Sequence, residues 1–228
     1  MNDYYFQYIL YFLGFVVIML AQAKMQGAYH KYRKIDSHYG FTAADVARKI
    51  LDSNGLGNVH VQVSEGGMLS DHYNPLTRTA TLSSDIYYKS SIASIAVAAH
   101  EVGHAIQHKE GYGAIAIRNK LLPVANIASQ MGWGVLFIGF FLGLKPFLYL
   151  GILMLVVVAL FQFITLPIEF NASSRALRQL QGLNIVDEDE VSEAKSMLNA
   201  AALTYVAALL STIFQILRLL VLSRRNDD

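Results

Sequence analysis

Residues 121–168 read LLPVANIASQMGWGVLFIGFFLGLKPFLYLGILMLVVVALFQFITLPI, an apolar stretch almost free of ionisable side chains. A hydrocarbon core of about 30 Å takes roughly 20 residues of helix, so the stretch is too long for one crossing and suits two. The break falls at Gly143-Leu144-Lys145-Pro146, where Pro146 can open a new helix but not continue the old one. Spans are therefore expected over residues 122–142 and 147–168. Working outward, residues 4–23 form another apolar run ending at Lys24, and residues 200–222 a fourth, where Arg218 can snorkel toward the interface. Ala21-Gln22-Ala23 has the look of a signal-peptide cleavage site, but Met1-Asn2-Asp3 brings no positive charge and the run is long, so it reads as an uncleaved anchor.

The composition agrees. Of 228 residues, 54% are hydrophobic and only 15% charged, against about 25% charged in a soluble domain. With 11% aromatic residues, disorder is excluded as well. A net charge of +1 gives no handle for nucleic acid. The chain has no cysteine, which removes disulfides, thiolate metal sites and cysteine nucleophiles together. Any metal must be held by His, Asp or Glu.

With four spans, residues 24–120 and 169–199 lie on one side of the bilayer. That side holds Lys24, Lys31, Arg33, Lys34, Arg118, Lys120, Arg175 and Arg178 near the membrane, against Lys145, Arg224 and Arg225 on the other. The larger basic cluster marks the cytoplasmic face. The run Asp187-Glu188-Asp189-Glu190 reads as the solvated start of a helix. Within residues 24–120, a helix capped by Thr42 is expected to end at Asn54-Gly55. A strand follows at Val59, Val61 and Val63, and then a hairpin around Asn74-Pro75 with residues 68–73 as one arm and a second strand over residues 77–82. A helix opening at Ser90-Ser91 runs to about Lys109 and is closed by Gly111.

The second half of that helix reads His100-Glu101-Val102-Gly103-His104-Ala105-Ile106-Gln107-His108. His100 and His104, four residues apart, project from one face about a turn apart, so two imidazole nitrogens can reach one Zn²⁺. Glu101 is rotated off the pair and can exchange a proton with the attacking water and the leaving amine without binding metal. This is the HExxH arrangement of zinc peptidases. With 7 His among 228 residues and Glu equally scarce, chance would produce it roughly 0.007 times in a chain of this length. Its alternative, two unpartnered imidazoles packed in a helical core, is costly. A third ligand is required. His108 lies another turn along, about 12 Å from His100 by helical rise, too far for one ion on a straight helix. Glu169, where the third span ends, is the better candidate, since a carboxylate at the edge of the hydrocarbon needs a partner.

Together with Glu169-Phe170-Asn171-Ala172-Ser173 and Ser70-Asp71-His72-Tyr73-Asn74-Pro75, this motif resembles the YugP-type membrane zinc metallopeptidases, small bacterial proteins distantly similar to HtpX and the CAAX prenyl proteases. The resemblance covers most of the chain. It implies that Glu169 completes the zinc site and that the strand and hairpin before the active helix, residues 68–82, form the substrate-binding edge. In that group the residue two beyond the glutamate is commonly Asp; here it is Asn171, whose amide oxygen accepts a hydrogen bond from a histidine ligand more weakly. His72, Tyr73 and Arg175 are candidate donors to the oxyanion, and His108 a candidate supporting residue beside the ligands.

The sequence thus leads to an α-helical membrane protein of about four transmembrane helices with a small α+β, zincin-like catalytic domain, an HExxH helix plus a small sheet or hairpin. The expected activity is that of a Zn²⁺-dependent metalloendopeptidase in the bacterial cell membrane, with its active site on the cytoplasmic face. Its substrates would be peptides or membrane proteins, and its oligomeric state stays open. A non-catalytic zinc-binding scaffold or sensor is the alternative. A metal transporter is disfavoured, because the spans carry almost no ionisable residues.

Overall fold

A computed structural model describes residues 3–67 and 70–225. Among the described residues four helices are long and apolar enough to cross a membrane: α1 (Asp3–Tyr32), α5 (Gly113–Phe141), α6 (Lys145–Gly182) and α7 (Glu188–Arg225). Gly143, in a left-handed conformation at φ +64°, ends the turn after α5, and Pro146 sits in the first turn of α6. There its missing N–H costs nothing. Residues 169–199, a polar segment between the third and fourth expected spans, are the continuation of α6, a short connection over residues 183–187 and the opening turns of α7. The chain divides into two units, one from residues 1–23, 116–167 and 203–228, the other from residues 24–115 and 168–202.

In the first unit, large apolar side chains such as Phe12, Phe137, Phe140, Phe141 and Phe163 are mostly exposed, as lipid-facing residues would be. Small residues let helices approach: a Cβ on Gly139 would lie 2.5 Å from the Leu148 nitrogen, and one on Gly151 2.5 Å from Leu136 Cγ. Leu136, Leu148, Ile152 and Leu155 are buried where α5 meets α6.

The second unit holds a soluble-type core. Helix α2 (Ala43–Ser53) begins with a capping box between Thr42 and Asp45 and buries Val46, Ala47, Ile50 and Leu51. Three short strands follow, β1 (His60–Ser64), β2 (His72–Asn74) and β3 (Thr79–Ser83), in the order β1-β3-β2. β3 is buried throughout, pairing parallel with β1 and antiparallel with β2, with Tyr73 opposite Ala80. The hairpin arm expected over residues 68–73 is thus short; residues 68 and 69 lie outside the described residues. A one-turn helix α3 (Ser84–Tyr87) precedes α4 (Ile92–Lys109). Ser91 caps α4 by accepting from the Ser94 N–H, and Gly111 closes it at φ +64°. Ile92, Ile95, Leu82, Ile86, Leu180, Ile185 and Met197 share one core with α2.

The acidic run at 187–190 is only partly solvated. Glu190 is buried, with one oxygen accepting the Asp187 N–H and the other the His38 N–H. A glutamate three residues into a helix can satisfy the N-cap amide, and the loop at His38 takes up its second oxygen. Asp187 accepts from Tyr39 and meets His38 Nδ1 at 2.8 Å.

Candidate metal centre

On α4 the small residues of the first half pack into the core, which fixes the rotation of the helix and turns His100 and His104 to one side. Their rings stand 4.8 Å apart, edge to face. α6 brings up Glu169, whose Oε2 lies 3.2 Å from His100 Nε2 and 3.6 Å from His104 Nε2. All three side chains are largely buried, Glu169 at 8% exposure and the histidines at 15%. Gly103 makes the approach possible: a Cβ there would sit 2.6 Å from the Ala172 carbonyl oxygen of α6. The two helix backbones are in contact at this level.

The donor set of two imidazole nitrogens and one carboxylate oxygen, all within 4.8 Å of one another, could hold a metal ion. Tetrahedral ligands 2.0–2.1 Å from zinc stand about 3.3 Å apart, which the observed 3.2 and 3.6 Å bracket. The residues present fit that ion. A second group, His38, Asp187 and Glu190, has both Glu190 oxygens committed to backbone amides and serves to close the loop.

Hydrogen bonds behind the histidines decide which nitrogen faces Glu169. Gln107, fully buried, donates through Nε2 to the Ile168 carbonyl at 2.8 Å and to Asn171 Oδ1 at 2.9 Å. A backbone carbonyl only accepts, so the amide orientation is settled and Gln107 Oε1 points to His104 Nδ1, 3.0 Å away. Asn171 Oδ1 is likewise an acceptor, because it takes the Arg175 Nε–H at 2.7 Å and guanidinium only donates. Neutral His104 therefore carries its proton on Nδ1 and turns the Nε2 lone pair toward Glu169. Arg175 is anchored in turn by Glu110 at 2.6 Å. His100 Nδ1 meets Ser173 Oγ at 3.1 Å. Burial opposes charge on His104, yet Glu169 and Glu101 outweigh it and hold its pKa above the ordinary value.

Glu101 lies on the flank of α4 beside the pair, and its charge reaches Asp71, which sits just before β2. Burial first, and Glu101 second, raise the Asp71 pKa, while Asp71 accepts from the Ser83 N–H at 2.7 Å. Of the other residues singled out from the sequence, Asn171 reaches His104 through Gln107, and Arg175 stands one step further back. His72 Nδ1 meets the Ser70 carbonyl, and the Tyr73 hydroxyl meets His108 Nδ1. Among the described residues none of His72, Tyr73, His108 and Arg175 is hydrogen-bonded to His100, His104 or Glu169. The sequence reading passed over Gln107, Ser173 and the close approach at Gly103. A glutamine on the buried side of an Ala-rich helix, three residues past His104, was the available signal.

A sequence model of the family described as "Putative neutral zinc metallopeptidase" matches residues 7–224. "Putative membrane protease YugP" of Bacillus subtilis (strain 168) is 44% identical over 208 residues, covering 91% of this chain and 92% of the relative. No solved structure matches. The chain belongs to this family, with zinc as its metal, and it does so as a membrane protein with four apolar helices among the described residues long enough to span.

Proposed function

We propose that this protein is a membrane-bound zinc endopeptidase that hydrolyses peptide bonds in membrane or membrane-proximal proteins. The observation that carries the reading is the convergence of His100, His104 and Glu169, from two helices distant in sequence, on a space the size of one ion. These three would hold zinc; when bound, it supplies Lewis acidity, polarising the scissile carbonyl and acidifying the attacking water. Glu101 takes a proton from that water as its oxygen adds to the carbonyl carbon, then delivers it to the amine as the C–N bond breaks. Ser173 and Gln107 hold the imidazoles in place through their Nδ1 atoms. β2 is one of the two outer strands of the sheet, so an extended substrate can add to it through backbone hydrogen bonds. The excess of basic residues flanking the spans on the side of residues 24–120 supports a cytoplasmic site.

The test is Glu101→Gln in detergent-solubilised protein. Peptide cleavage is expected to be lost while zinc stays bound at the wild-type level; retained cleavage overturns the role given to Glu101.

A further inference from the structure

Tyr73 and His108 pair with each other, 3.0 Å apart between hydroxyl and Nδ1. They form one wall of a cavity of about 330 Å³ that Ala105, Arg78 and Lys109 also line. No carboxylate is among its lining residues. Arg78 and Lys109 bring basic side chains to it, and Lys109 Nζ donates to the Asn54 carbonyl, which anchors the group without pairing it with a carboxylate. Arg78 ends the β2–β3 loop at φ +51°, a left-handed state that glycine adopts freely and arginine does not. A strained position therefore carries a long cationic side chain to the rim of the cavity.

The cavity's place relative to Glu101 follows from the helix. Residues 101, 105 and 108 share one stripe of α4, so Ala105 and His108, which line the cavity, lie on the same stripe of that helix as Glu101. At 1.5 Å per residue, Ala105 and His108 lie about 6–10 Å along from Glu101. An extended peptide covers that distance in two to three residues at roughly 3.3 Å each. β2, which carries Tyr73, runs beside the same wall.

Resting on the peptidase reading above, we infer that this cavity is a specificity pocket for a substrate carboxylate, an acidic residue two to three positions from the cleaved bond, held by Arg78 and Lys109. The carboxylate can come from an Asp or Glu side chain or from the end of a peptide chain, and both present the same anion to the same cations.

The experiment incubates the zinc-loaded full chain in detergent with a proteome-derived peptide library, half with free and half with amidated C-termini, and reads cleavage sites by mass spectrometry. Asp and Glu are expected at one fixed position within three residues of the cleaved bond, enriched about tenfold over Asn and Gln, the scale of one charge-assisted hydrogen bond. Asp and Glu enrichment surviving amidation assigns the side chain; cleavage clustered within three residues of free C-termini and lost on amidation assigns the chain end. Arg78→Gly, which removes the charge while relaxing the backbone, should flatten the preference, and Arg78→Glu should replace it with Lys and Arg. Cleavage without positional acid preference, or a preference untouched by both variants, overturns the pocket while leaving the peptidase reading intact. No cleavage by the wild-type protein overturns the peptidase reading, and the pocket falls with it.

Discussion

Replacing Gln107 by leucine removes the acceptor of the His104 Nδ1–H and both donors that tie α4 to Ile168 and Asn171 on α6. Gln107 is fully buried, so no water is at hand to take over. A partner that orients a metal-ligating histidine is worth 10–100-fold in metal affinity, or about 1.4–2.7 kcal/mol. The orphaned His104 N–H adds an apo-state cost of about 1–3 kcal/mol. The zinc Kd, measured by competition with a chromophoric chelator in detergent, should rise 10–100-fold, with a lower Tm of the metal-free protein. Gln107→Glu separates the two effects. Its carboxylate still accepts from His104, but its other oxygen faces the Ile168 carbonyl and Asn171 Oδ1. Asn171 cannot turn to donate, because Arg175 Nε already donates to that oxygen. Gln107→Glu should therefore bind zinc more tightly than Gln107→Leu while its metal-free form is the less stable. An unchanged zinc Kd in Gln107→Leu, or equal loss of zinc affinity in both variants, refutes the orientation argument.

Metal analysis of purified Glu169→Ala should show loss of zinc and that of His108→Ala retention, since only the first removes a member of the trio; zinc retained in Glu169→Ala refutes the ligand set. Gly103→Ala places a methyl 2.6 Å from the Ala172 carbonyl, a rigid backbone neighbour, so overpacking of about 1–3 kcal/mol is expected. A lower Tm and weaker zinc binding should appear together as the helices part, and a variant matching wild type in both speaks against the close approach. The His38–Asp187 contact makes the loop at 37–40 pH-dependent. The His38 pKa is raised by the Asp187 hydrogen bond and then by the charges of Glu190 and Asp189, and the Asp187 pKa is lowered by His38 and Tyr39. The His38 contribution is fully present below its unfolded value of 6.5 and is lost as pH rises through the raised folded value. The Asp187 contribution is present above 3.8 and is lost as pH falls through the lowered one. Hydrogen-exchange protection of residues 37–40, corrected for intrinsic rates, should peak between those limits and decline toward alkaline pH. The alkaline decline should vanish in His38→Ala, and its persistence there would assign the effect elsewhere.

What the sequence disclosed was what its local composition governs. Bilayer-length apolar runs, the caps at Thr42 and Ser91, the terminators Gly55 and Gly111 and the four-residue spacing of His100 and His104 each involve residues a turn or two apart. The parallel pairing of β1 with β3 was hidden, because it depends on β2 taking the outside of the sheet. The length of α6 was hidden for a different reason. Hydropathy marks where a helix leaves apolar surroundings, and the polar side chains after Ile168 contain no breaker, so the helix runs on to Gly182. Glu190 reads as a solvent-facing acid until the loop carrying His38 is seen to supply a second amide. Gln107 carries no motif; its meaning lies in what α6 sets against it.

The continuation of α6 is what sets Glu169 beside the two histidines. Ile168, Ala172, Ala176 and Leu180, all fully buried, recur every four residues and form the stripe that packs into the core. Asn171 and Arg175 flank it on one side, and Glu169 and Ser173 on the other, again four residues apart. Rotating α6 by a single residue would turn each stripe by about 100°, exposing Ile168, driving a larger side chain than Ala172 against Gly103, and carrying Glu169 and Ser173 away from the imidazoles together. Packing and chemistry thus select the same register. The apolar stripe supplies the larger free energy, about 1.5–3 kcal/mol for each large buried side chain, and the polar flanks, individually worth less, discriminate among rotations that burial alone would nearly tolerate. A carboxylate more than sixty residues from the two imidazoles in sequence is in this way set 3.2 and 3.6 Å from them by a helix whose apolar residues lie on a different stripe.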